Sequence, residues 1–127
     1  MKGRIGRGDS RKKYNIERDV VMIRKAILME VKPGMIKEYE KVHNPIWPAL
    51  HKVVKAHGVH NYSIFYTKKT NQLFGYLEIE DEELYKAREK TEVCQEWFAE
   101  MKKYLVADPD NGVQNKKDDL REIFHID

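Results

Sequence analysis

The chain has 127 residues with one cysteine, 35% charged residues and a formal net charge of +3, a length suited to one domain with one core. Cys94 has no partner for an internal disulfide, no apolar run reaches the roughly 20 residues needed to span a bilayer, and no Gly-rich phosphate loop, HExxH or CxxC appears. These absences point away from membrane, metal and cofactor chemistry and toward a soluble protein of a reducing, cytoplasmic compartment.

Taken in chain order, residues 1–21 come first, with seven Lys/Arg against three Asp/Glu and few apolar side chains. The body from Met22 onward is nearly neutral. Such a leader is expected to be a disordered basic extension, with the folded domain at 22–127 and no nucleic-acid role, because the body adds no second basic patch. MIRKAILMEV alternates apolar and polar residues and predicts a first strand over 22–31. Lys32-Pro33-Gly34 ends it.

Met35, Ile36, Tyr39, Val42, Ile46, Leu50, Val53 and Val54 then recur at helical steps, yet Pro45 and Pro48 fall inside the stripe. Each proline removes a backbone donor, so the helix must break and restart near Asn44. VHNYSIFYT and QLFGYLEIE, joined by the polar KKTN, read as a hairpin. Helical spacing resumes from Glu82 to Leu105, with Asp81 or Glu82 favouring its start. ADPDNGVQNKKDD is a loop, and LREIFHI reads as a closing strand.

The order βαββαβ predicts an α+β, ferredoxin-like antiparallel sheet with its helices on one face. The other face carries enough Tyr, Phe and Leu to call for a cover, for which a second copy of the chain is the simplest.

Among residues able to carry chemistry, Tyr39 and His43 stand four apart on one side of the broken helix. Histidine exchanges protons near neutral pH, and the break beside it can open a cavity. Tyr62, Trp97 and Phe98 offer flat faces for a ring-shaped ligand, although such aromatics also build cores. The loop Asp108-Pro109-Asp110-Asn111 adds carboxylates, with Asp110 as a possible helper in proton transfer.

From Met22 onward, the segments MIRKAILMEV, EYEKVHNPIWPAL, HGVHNYSIFY, LFGYLEIE, TEVCQEWF and ADPDN resemble the L-rhamnose mutarotase family in order and spacing. The resemblance implies a dimeric α/β barrel that interconverts the α and β anomers of L-rhamnose without metal or cofactor. It implies His43 as proton donor, with Tyr39, Tyr62, Trp97 and Phe98 lining the sugar. Two tryptophans are common in the family where this chain has Trp97-Phe98, so a hydrogen bond from an indole N–H is lost there. Two rival readings stand beside it: small oxygen-using monooxygenases, which use similar dimeric sheets, and a non-catalytic sugar- or small-ligand-binding module.

Overall fold

The computed structural model of the chain describes residues 12–15, 20–108 and 115–127. Strands β1 (Lys12–Asn15), β2 (Val20–Glu30), β3 (Val59–Thr67), β4 (Gln72–Ile79) and β5 (Asp118–Leu120) form one antiparallel sheet. Helices α1 (Ile36–Val42), α2 (Pro48–Ala56), α3 (Glu82–Ala87) and α4 (Glu92–Met101) complete the fold, with a 3₁₀ turn at Arg88–Lys90. β2 and β4 lie side by side, β3 flanks β4, and β1 and β5 share the outer edge of β2.

Period-two alternation decides which face is dry. Ile27 and Met29 on β2, Leu73, Leu77 and Ile79 on β4 and Val59 on β3 are buried, and their clusters gather Tyr39, Tyr85 and Met101 from the helical segments. Full burial of a side chain such as Leu73 or Leu77 stabilises by roughly 1.5–3 kcal/mol. A second helix-side cluster of Leu50, Cys94 and Phe98 ties α2 to α4.

The hairpin and the broken helix follow the expectation closely. α1 ends at Val42 and α2 restarts at Pro48, whose missing N–H is harmless in the first turn, and the Asn44–Pro45 peptide between them is cis. The second helical stretch is not continuous. Thr91 leaves helical geometry and caps α4 by accepting from the Cys94 N–H, while Asp81 caps α3 by accepting from Leu84.

Two expectations need correction at the outer edge of β2. Lys12–Asn15, within the leader expected to be disordered, forms a strand with the register Lys12 opposite Ile23 and Asn15 opposite Val20. The expected closing strand over LREIFHI stops at Leu120, opposite Ala26. Continuing the antiparallel register would bring Ile123 opposite Ile23, where β1 already sits, so the edge is occupied. The tail is held by side chains instead. Arg24 donates two hydrogen bonds from Nη2 and one from Nε to the Glu122 carboxylate and lies 3.1 Å from His125 Nε2. Ile123, Phe124 and Ile126 are left 77–81% exposed.

The sheet face turned away from the helices is mixed. Phe65 and Phe74 are cross-strand neighbours, 64% and 39% exposed. Nearer Arg24, Glu78 is buried and accepts from both Tyr76 Oη and Asn61 Nδ2 at 2.8 Å. Among the described residues, no helix is long and apolar enough to cross a membrane.

Candidate active site

Between the helices and the dry face of the sheet lies a cavity of about 550 Å³. Its wall includes His43 and Tyr39 from the end of α1, Trp97 and Phe98 from α4, and Tyr62 from β3. The five residues singled out in the sequence therefore converge on one space, from three separate segments. Asp110 lies outside the described residues.

The break in the helix sets the histidine. His43 is the C-cap residue just after α1, and its Nδ1–H donates to the Tyr39 carbonyl at 2.6 Å, a backbone acceptor one turn back. A carbonyl can only accept, so the neutral ring is the tautomer with its proton on Nδ1 and its lone pair on Nε2. Tyr39 tilts against the imidazole at 4.3 Å between centroids, and Trp97 meets it edge-on at 5.0 Å. Burial among these rings holds the His43 pKa below 6.5, partly offset by the hydrogen bond to Tyr39. The imidazole is neutral at neutral pH.

Trp47, in the interrupted segment, was not singled out in the sequence. Its ring packs edge-on against Trp97 at 4.9 Å and braces the wall from behind. The signal was present in the motif containing His43, but a tryptophan between two prolines gives no indication of which side it faces.

Tyr62 reaches the cavity through a β-bulge. The ladder between β3 and β4 shifts register between His60 and Ser63, with Asn61 at φ 49°. Glu80 accepts from His60 Nε2 at 2.6 Å and Glu78 accepts from Asn61 Nδ2, so two carboxylates at the end of β4 hold the bulge on its two sides. The Tyr62 ring then lies over Gly75, where an added Cβ would come within 3.4 Å of Tyr62 Cε1 and 3.0 Å of Ile27. Only a residue without a side chain leaves that room. Tyr62 is 45% exposed, yet desolvation of its phenol, with Tyr85 nearby, pushes its pKa up to about 12. Tyr39 is raised further by its burial, so both phenols stay protonated and can donate hydrogen bonds.

Phe98 is buried against Leu50 and Cys94, and its carbonyl accepts from Asn115 Nδ2 at 2.9 Å. It gives the cavity an apolar face and no donor. Arg88, also buried and also on the cavity wall, was missed in the sequence because a lone arginine after a helix reads as solvated. Among the described residues, no group of three or more His, Cys, Asp or Glu side chains is placed to hold a metal ion. The arrangement can enclose a small ring-shaped molecule, stack on its faces, donate to its oxygens and exchange a proton through one imidazole.

Comparison with known proteins gives the same direction. Residues 24–126 match the family model described as L-rhamnose mutarotase. The chain is 51% identical over 106 residues to an L-rhamnose mutarotase of Opitutus terrae, covering 84% of this chain and all of that one. It is 46% identical over 105 residues to the L-rhamnose mutarotase of Escherichia coli strain K12, covering 83% and 99%. In three dimensions it is similar to the crystal structure of an L-rhamnose mutarotase from Formosa agariphila, with a TM-score of 0.68 at 28% identity, covering 82% of this chain and 98% of that one.

Proposed function

The chain belongs to the L-rhamnose mutarotase family, isomerases that interconvert the α and β anomers of L-rhamnose, and from that premise we propose that His43 carries the proton on which the reaction turns. The observation that carries this reading is the hydrogen bond from His43 Nδ1 to the Tyr39 carbonyl, which fixes the lone pair on Nε2 of a neutral ring at the cavity wall.

Anomer exchange requires loss of the O1 proton and protonation of the ring oxygen O5. Both oxygens are bonded to C1, so a single nitrogen can serve them in turn. Nε2 takes the O1 proton, C1=O1 forms as the C1–O5 bond breaks, and the imidazolium delivers the proton to O5. A low imidazolium pKa makes that delivery easy. Rotation about C1–C2 presents the other carbonyl face, and the same steps run backwards to close the ring. His43 is thus the donor to O5, and the proton it gives is the one it has just received.

Tyr39 and Tyr62 remain protonated and donate to sugar hydroxyls, while Trp97 and Phe98 stack on the C–H faces of the ring. Asp110 is the first candidate for a helping carboxylate. A homodimer closing a barrel over the sheet's open face would cover Phe65 and Phe74, and a cytoplasmic setting suits a chain with one buried free cysteine.

Exchange NMR of equilibrated L-rhamnose tests the assignment. His43→Ala is expected to lower the enzymatic exchange rate by about 10²-fold or more while sugar affinity changes far less. A folded His43→Ala variant exchanging anomers at the wild-type rate would remove His43 from the mechanism.

A further inference from the structure

The cavity has two differently built ends. Tyr39, against which His43 packs, sits in the cluster over Met29 and Leu73. Tyr85 belongs to the cluster over Leu77 and Ile79. Leu73 and Leu77 are four residues apart on β4, so these anchoring points are separated by roughly 13 Å along the sheet. At the Tyr85 end, the lining includes a buried cation, Arg88.

Arg88 is held in a defined pose. Its guanidinium lies 3.8 Å from the centroid of the Tyr85 ring, Nη1 donates to the Tyr85 carbonyl at 3.2 Å, and Nη2 donates to the Tyr85 hydroxyl at 3.0 Å. Glu89 is 3.6 Å away on the neighbouring residue. The side chain is only 10% exposed and borders the same space as Tyr62. A planar fork of N–H donors suits pairs of adjacent hydroxyl oxygens, and a positive charge strengthens each such bond.

Resting on the mutarotase reading above, we infer that Arg88 is a specificity-determining residue that hydrogen-bonds the hydroxyl edge of the sugar remote from the anomeric carbon. With C1 at His43, the C3–C4 edge of a pyranose is directed toward the Arg88 end. Arg88 orients the ring there and takes no proton.

The test is steady-state anomer exchange with L-rhamnose and its 3-deoxy and 4-deoxy forms, using wild type, Arg88→Met and Arg88→Lys. Arg88→Met is expected to raise KM for rhamnose at least about tenfold while kcat stays within about twofold, as for loss of a charged hydrogen bond made equally in ground and transition states. Arg88→Lys recovers part of the KM, since it keeps the charge without the fork. With the 3-deoxy or the 4-deoxy sugar, each lacking one hydroxyl of the contacted edge, the ratio of the Arg88→Met KM to the wild-type KM is smaller than with rhamnose. An unchanged KM in Arg88→Met, or the same KM ratio for all three sugars, overturns the inference and leaves Arg88 as a brace for Tyr85. Wild-type protein that fails to exchange rhamnose anomers would instead refute the mutarotase reading itself.

Discussion

The neutral state of His43 makes a prediction about acid. Burial disfavours the imidazolium, so the folded pKa lies below the 6.5 of a free histidine, and the lone pair on Nε2 persists as the pH falls through that value. The enzymatic rate should be flat through neutrality and bend only below pH 6.5, then fall about tenfold per pH unit because one proton blocks one nitrogen. Opening the wall tests the cause: Trp97→Leu removes the ring that meets the imidazole edge-on, admits water and moves the bend upward toward 6.5. Stability follows by linkage. Between the folded and unfolded pKa values the unfolded chain binds more protons at this residue, so the His43 contribution to stability declines as pH falls from 6.5 to the folded pKa and is constant below it. The assay is saturation-transfer NMR of the two anomers at each pH, with the solvent-catalysed rate subtracted and the His43 ring proton followed in parallel. A rate that rises on acidification, or a ring that titrates at or above 6.5, would show that the imidazolium is the starting form and refute the single-nitrogen shuttle.

At the sheet's open face, light scattering at micromolar concentration should give twice the chain mass, and Phe65→Asp with Phe74→Asp should give the monomer; a wild-type monomer would sink the dimer reading. At the outer edge of β2, deleting residues 1–19 should leave anomer exchange unchanged, since β1 pairs with β2 on the side away from β4 and β3, and should let the tail pair beyond Leu120. Hydrogen exchange would report the latter as new protection at Ile123–Ile126. Amides there exchanging as fast as in the full chain would mean that β1 is not what stops the strand.

What the sequence made legible was local. Two prolines inside an apolar stripe force a break wherever the chain goes next, and the alternation of VHNYSIFYT and QLFGYLEIE around a polar turn leaves little besides a hairpin. His43, Tyr39, Tyr62, Trp97 and Phe98 were singled out as chemically capable, and the family resemblance supplied their grouping, which periodicity does not carry. The misses share a different origin. LREIFHI has the pattern of a strand, but whether it pairs depends on a vacancy along β2 that a segment over a hundred residues earlier fills. The interruption before α4 was signalled by Thr91, a good capping residue, and was masked by apolar spacing that happens to run through it. Arg88 gave no signal, because burial of a cation is a property of its surroundings.

The bulge at Asn61 has a mechanical meaning. A strand is one residue thick, and its neighbours in sequence normally face opposite sides without influencing each other's setting. Here the shifted register makes Asn61 the fulcrum of a lever: its amide is gripped by Glu78 on the side that faces away from the helices, and its other arm is Tyr62, whose ring lies over Gly75 inside the cavity. The outer surface of the sheet at Glu78 and Tyr76 is thereby joined to the cavity wall at Tyr62 through a single peptide unit.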